Sequence, residues 1–306
     1  MNTTRPCGCK GCRTCLHCEA LFGISFDKEN IKKGTQNKKV YCPFCNLCYP
    51  GKSVDSYKSH PNHEGTPTRY EGVYIEMNFL SDSEHDQLMQ GIDSMAWDLS
   101  QSGRRKQNFG PKCNFKARKL RLGKFQGFPK FTRFVQEKFE DVPILQGFQT
   151  IEQCSLEYHP ARGSSIDPHV DDCWVWGERI VTVNLLSDSV LTLTPNQYPT
   201  RYNLDLVGTY PKVVQHSVKL ETNRSDQSVE ACVEDTVLVP MPKNSLLVMY
   251  GSARYDYEHR ILREDITERR VCLAYREFTP IYLEGGQFYE EGKLVTKMSK
   301  EFFDVE

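Results

Sequence analysis

Ile166-Asp167-Pro168-His169-Val170-Asp171 is the stretch from which the rest of the chain is read. His169 and Asp171 stand two apart, so on an extended strand their side chains point to the same face. An imidazole and a carboxylate placed this way supply two legs of a facial metal site. In a two-histidine, one-carboxylate set the third leg comes from a distant histidine, and the opposite face of the metal stays open. Alone, H-x-D arises often by chance, and a surface histidine beside two solvated acids, Asp171 and Asp172, explains it better. The sequence downstream changes that balance.

From residue 147 onward the chain reads as short strands broken by Gly, Pro and Asp. They are Phe148–Tyr158, Ile180–Leu186, Val190–Thr194, Thr236–Val239, Ser245–Met249 and Arg270–Phe278. This pattern predicts a sandwich or jelly roll. Residues 195–230 interrupt it with a polar insertion, expected to be a long mobile loop. Only His216 and His259 follow the H-x-D, and His216 lies in the insertion. His259 comes ten residues after the strand ending at Met249 and just before the strand Arg270–Phe278. On that strand Arg270 and Arg276 share a face, with the small residues Cys272 and Ala274 between them. Two arginines facing into a barrel are costly unless an anion pairs with them, and a dicarboxylate matches both guanidinium groups.

The chain has 306 residues and a net charge of −1. That length suits one large domain and a small one, and the charge gives no global pull toward nucleic acid or membrane. No apolar run approaches the roughly 20 residues of a membrane span, and the N-terminus lacks a signal-peptide core. The expectation is an intracellular protein of cytoplasm and nucleus. Its thirteen cysteines then point to metal binding rather than disulfides. Cys7, Cys9, Cys12, Cys15 and Cys18 form one block and Cys42, Cys45 and Cys48 another. Cys15-x-x-Cys18 and Cys42-x-x-Cys45 read as two knuckles sharing one tetrahedral structural zinc. Cys7, Cys9 and Cys12 would supply a second site with Cys48 or with His17, His60 or His63. An iron–sulfur cluster is the minor alternative.

Residues 1–65 are therefore expected to form a Cys-rich zinc module, with a polar linker over 49–68. Val73–Met77 reads as a strand, and Ser81-Asp82-Ser83-Glu84 as a capping box that opens a helix. Between Gln101 and Gln136 there are eleven Lys/Arg and no acid. Arg104, Arg105 and Lys106 are its candidate substrate contacts, gripping a phosphate backbone or an acidic protein surface.

His169-x-Asp171, His259 and the Arg270/Arg276 pair together resemble the AlkB family of iron(II)/2-oxoglutarate dioxygenases. Pro240-Met241-Pro242 and Ser245-Leu246-Leu247-Val248-Met249-Tyr250-Gly251 before the distal histidine fit that family. The resemblance implies a mainly β fold with flanking helices (α+β), a double-stranded β-helix core over residues 66–295, and a short tail, 296–306. It implies that His169, Asp171 and His259 bind iron. Tyr158 and Arg270 would hold the distal carboxylate of 2-oxoglutarate, and Arg276 would sit by its metal-chelating end. Leu156 departs from the pattern, because the family often has Asn there. With O2, the implied reaction is oxidative removal of an N-methyl group. The expected substrate is monomethyl-lysine in an actin-like protein, linked to actomyosin and cell division, with N6-methyladenine in DNA as the alternative. A reading from another class is a non-catalytic, zinc-dependent interaction module.

Overall fold

Every strand expected after residue 147 forms, with its ends shifted by a few residues. The computed structural model describes residues 5–23, 37–198, 200–214, 230–232 and 235–305. In chain order its strands begin with β1 (Lys38–Cys42), β2 (Leu47–Pro50), β3 (Thr68–Arg69), β4 (Val73–Glu76), β5 (Asp98–Leu99) and β6 (Arg105–Phe109). A small ribbon follows, β7 (Lys112–Asn114) and β8 (Lys119–Arg121), then β9 (Phe128–Pro129). Next come β10 (Glu152–Tyr158), β11 (Ile166–His169), β12 (Trp176–Leu185) and β13 (Ser189–Pro195). The last are β14 (Thr236–Met241), β15 (Leu246–Met249), β16 (Tyr257–Ile261), β17 (Arg270–Phe278) and β18 (Phe302–Phe303).

From β10 to β17 the chain passes back and forth between two sheets. One has the order β4-β15-β12-β17-β10-β6-β5 and the other β11-β16-β13-β14-β1-β2-β3. This mainly β architecture, with helices on its flank, is consistent with a jelly roll. The first sheet is covered on both faces. Val181, Val183, Leu185, Val271, Leu273 and Tyr275 point outward onto the helix Asp82–Ser94, through Leu88, Met89 and Ile92. Ile180, Cys272 and Tyr158 point inward, toward Leu191, Val237 and Met241. Burial on both faces explains why these strands read as continuous apolar runs. The helix opens with the expected capping box, since the Ser81 hydroxyl accepts from the Glu84 backbone N–H and the Glu84 carboxylate from that of Ser81.

Three expectations change. Residues 1–65 are not a separate module, because β1 pairs in parallel with β14 and extends the second sheet. The hairpin β1–β2 finds its buried surface there, through Val40 against Val190 and Leu238. The linker 49–68 folds back, with a 3-10 turn at Val54–Ser59 and β3 paired to β2. Part of the 195–230 insertion is packed: Cys173 N–H donates to the Tyr202 carbonyl at 2.8 Å, and Asn203 Nδ2 to Asp172 at 2.6 Å. Residues 215–229, His216 among them, lie outside the described residues. Among the described residues no helix is long and apolar enough to cross a membrane.

Candidate active site

β11 is the edge strand of its sheet, which is where a strand tolerates Pro168. Its partner β16 sets His259 directly across from His169, with ring centroids 4.2 Å apart. Asp171 follows β11, its Oδ1 3.7 Å from His169 Nε2. One donor atom from each of the three lies within 4.8 Å of the others. His169 Nδ1 is 2.9 Å from the Asp167 carbonyl. A carbonyl only accepts, so Nδ1 carries the proton and Nε2 presents its lone pair to the cluster. Burial pushes the Asp171 carboxyl up, but the Arg276 guanidinium beside it outweighs this and holds the group well below the ordinary carboxylate range. Burial also lowers both imidazoles, so they stay neutral. Two neutral imidazoles and one carboxylate are the donor set that iron(II) takes in a facial triad.

The arginines of β17 face this interior as expected, in two different states. Arg276 donates to Asp171 through Nε at 3.0 Å, and to Glu152 at 2.5 Å. It sits at the metal end, already committed to two protein carboxylates. Arg270 is fully buried, lies across from Tyr158 in register, and stacks over that ring at 4.8 Å. Its Nε donates to Asn184 Oδ1 at 2.7 Å, while Nη1 has no hydrogen-bond partner among the described residues. A buried guanidinium N–H without an acceptor costs roughly 1–3 kcal/mol, and a carboxylate of a bound dicarboxylate would satisfy it.

No protein-family model matches the chain. It is 38% identical over 298 residues to the human "Alpha-ketoglutarate-dependent dioxygenase alkB homolog 4", covering 97% of this chain and 94% of that protein. The mouse protein of the same name is 36% identical over 304 residues, covering 97% and 95%. A Caenorhabditis elegans "DNA N6-methyl adenine demethylase" is 32% identical over 301 residues, covering 94% and 91%. The chain belongs to the AlkB family of 2-oxoglutarate-dependent dioxygenases. That family implies iron(II), 2-oxoglutarate (α-ketoglutarate) and O2 as cofactors, and the triad with the unsatisfied Arg270 fits them.

Asn184 and Glu152 were missed in the sequence, the first reading as strand core and the second as an ordinary strand acid. Asn184 is fully buried and anchored by its amide to the carbonyls of Ser187 and Met241, which fixes the acceptor that orients Arg270. Arg254 was missed too. It is buried behind the site, hydrogen-bonded to the Trp176 and Gly177 carbonyls, and its charge acts on Asp171 and His259.

The candidate substrate residues separate. Arg105 is withdrawn from the substrate side, forming a two-point ion pair with Glu157 at 2.5 and 2.7 Å. Its place in β6 puts it on the outer face with Gln107, which bonds the helix carbonyl of Ile92. Lys106 takes the inner face beside Leu156, and Arg104 lies 5.9 Å from the Tyr158 ring. An exposed basic feature lies instead at the β7–β8 hairpin, where Lys112, Lys116, Arg118, Lys119 and Arg121, with Lys124 just after it, are all exposed.

The cysteines also divide differently. Cys7, Cys9, Cys15 and Cys18 gather in one cluster, and Cys42, Cys45, His60 and His63 in another, so the two C-x-x-C knuckles do not meet. Cys12 is exposed and belongs to neither, and Cys48 lies against Cys232. Spacing shows each knuckle, but not which partner the fold brings to it.

Proposed function

We propose that the chain is an iron(II)- and 2-oxoglutarate-dependent N-demethylase on a double-stranded β-helix core. The observation that carries this is the pairing of a His169–Asp171–His259 donor set with a buried, incompletely satisfied Arg270 on a neighbouring strand. When bound, iron(II) and 2-oxoglutarate would activate O2: one oxygen atom would go into succinate with release of CO2, and the other would hydroxylate the N-methyl group, which leaves as formaldehyde. His169 is held in the Nε2-presenting tautomer by the Asp167 carbonyl. Arg276 keeps Asp171 ionised and fixed. Arg270, oriented by Asn184 and backed by Tyr158, receives the distal carboxylate of the co-substrate. Between the arginines on the same face of β17, Cys272 and Ala274 carry only small side chains.

For the substrate we favour N6-methyladenine in DNA. Five exposed cations on the β7–β8 hairpin, with Lys124 just after it, would form a phosphate-binding surface at the side of the site, where Phe115 meets Trp174, three residues from Asp171, at 6.4 Å. The C. elegans relative's name supports the same reading. Monomethyl-lysine of an acidic, actin-like protein is the second reading, favoured by the net charge of −1. The test is incubation with iron(II), 2-oxoglutarate and either an N6-methyladenine oligonucleotide or a methyl-lysine protein, following methyl loss by mass spectrometry. Demethylation of the oligonucleotide, lost in Asp171→Ala, supports the first reading. Turnover on the protein alone selects the second, and turnover on neither, without succinate, rejects the enzyme reading.

A further inference from the structure

We propose that the N-terminal 65 residues hold two independent structural zinc ions. One is bound by the thiolates of Cys7, Cys9, Cys15 and Cys18, the other by Cys42, Cys45, His60 and His63. The reading from spacing, one zinc shared by the Cys15/Cys18 and Cys42/Cys45 knuckles, is incompatible with this partition.

The first site rests on what the segment lacks. Residues 5–23 bury only Cys9, Thr14, Cys15 and Cys18, and their apolar cluster consists of those three cysteines with Cys7 at its edge. Four sulfurs converging without a disulfide give no core of their own. The surrounding groups suit thiolates: the Cys15 backbone N–H and Arg5 Nη1 each donate to Cys18 Sγ at 3.1 Å. Such N–H···S contacts orient and neutralise metal-bound sulfur. The segment is also held tightly to the catalytic body. Arg13 pairs with Asp167, two residues before His169, at 2.9 Å, and Glu19 pairs with Arg263 at 2.7 Å. A Cβ on Gly103 would come within 3.1 Å of Cys15 Cβ and 2.6 Å of the Arg162 carbonyl.

The second site rests on geometry and on an unsatisfied atom. The turn between β1 and β2 closes Cys42-Pro43-Phe44-Cys45, with Asn46 N–H returning to the Cys42 carbonyl at 2.9 Å and Asn46 in the left-handed region at φ 56°. The 3-10 turn Val54–Ser59 then brings His60 and His63 over this knuckle. Cys42 Sγ and His60 Nδ1 are 3.7 Å apart. With Zn–S near 2.3 Å and Zn–N near 2.0–2.1 Å, neighbouring ligands of a tetrahedral zinc are about 3.4–3.8 Å apart. His63 stacks on Tyr49 at 4.1 Å, and its Nε2 is buried without a hydrogen-bond partner among the described residues. A metal lone-pair acceptor accounts for that atom. A two-iron cluster would put the cysteine and histidine pairs on different irons, whereas here all four donor atoms fall within 4.8 Å of one another.

The experiment counts zinc in the full chain carrying Asp171→Ala, so that metal at the iron triad is not included. Two zinc ions per chain are expected. His60→Ala/His63→Ala and Cys9→Ser/Cys15→Ser should each lower the count to one, and together to zero. A count of one that is indifferent to the histidine pair but abolished by either Cys15→Ser/Cys18→Ser or Cys42→Ser/Cys45→Ser would overturn the proposal. If the variants fail to fold, the unmutated chain exchanged with cadmium decides by 113Cd resonance. Separate signals for a four-sulfur and a two-sulfur, two-nitrogen environment are expected. A single four-sulfur signal, or iron with acid-labile sulfide in place of zinc, would overturn it.

Discussion

The two ends of β17 carry the same side chain in the same interior and do different work. At Arg276 the guanidinium is consumed by the protein, ion-paired to Asp171 and Glu152. At Arg270 it is held by neutral groups, Asn184 Oδ1, Met241 Sδ and the Tyr158 ring, with Nη1 left without a partner among the described residues. A cation whose charge is already balanced fixes a metal ligand, and one left unbalanced waits for an anion. The difference separates a residue that builds the site from a residue that binds what enters it.

The sharpest way to break that comparison is at the metal end. Arg276→Met leaves Asp171 and Glu152 buried with no cation between them. Stripping one partner from a buried ion pair costs about 3–5 kcal/mol. Succinate formation should fall below detection, and the thermal midpoint should drop. Wild-type turnover in this variant would show that Asp171 needs no counter-charge. At the other end Arg270→Ala should leave the fold intact and raise the Michaelis constant for 2-oxoglutarate. Loss of a charged contact in a dry pocket is worth about 2–5 kcal/mol, or roughly 30- to 5000-fold. An unchanged constant would move the carboxylate contact elsewhere, and an equal loss of stability in both variants would erase the distinction.

A smaller effect is expected one step behind Arg270. Asn184→Ala removes the acceptor for Nε and leaves that buried donor unsatisfied, a cost of about 1–3 kcal/mol. The 2-oxoglutarate constant should rise about tenfold, with the maximal rate little changed. A fall in maximal rate at constant affinity would place Asn184 in the chemistry instead.

Legibility in the sequence followed the range of the interaction. β10, β12, β13, β14, β15 and β17 were readable because burial on one or both faces writes itself into alternation or apolar runs, and the helix because Ser81 and Glu84 sit three apart. His169 and Asp171 share a strand-length motif, so their pairing was local. β16 was not readable as a strand, since Tyr257-Glu258-His259-Arg260-Ile261 is short and charged and is buried only by its neighbours. The cysteine partition, and the role of Asn184, depend on contacts between elements far apart in the chain. Arg105 looked like a substrate contact because charge shows in composition while direction does not. One residue of strand register turns it away from the site and onto Glu157.

Glu157 tests that last point with the smallest expected effect on turnover. It is adjacent to Tyr158 but faces the opposite side of β10, where Arg105, Arg162 and Arg269 surround it. Burial pushes its carboxyl up, yet the bonds from Arg105 and Arg269 and the charge of Arg162 outweigh this and lower it from 4.5 to about 2. A carboxyl depressed by folding binds its proton more readily in the unfolded chain. Its stabilisation is therefore complete above about pH 4.5 and is lost as pH falls toward 2. The whole shift is worth at most about 3 kcal/mol. Glu157→Gln should therefore lower stability at neutral pH and flatten its decline between pH 4.5 and 2, measured by denaturant unfolding across that window. The 2-oxoglutarate constant, measured under conditions where the variant is folded, should match that of the unmutated chain. A raised constant would mean that the cationic cluster on the outer face reaches through the strand to the co-substrate end of the site, and that the two faces of β10 are not independent.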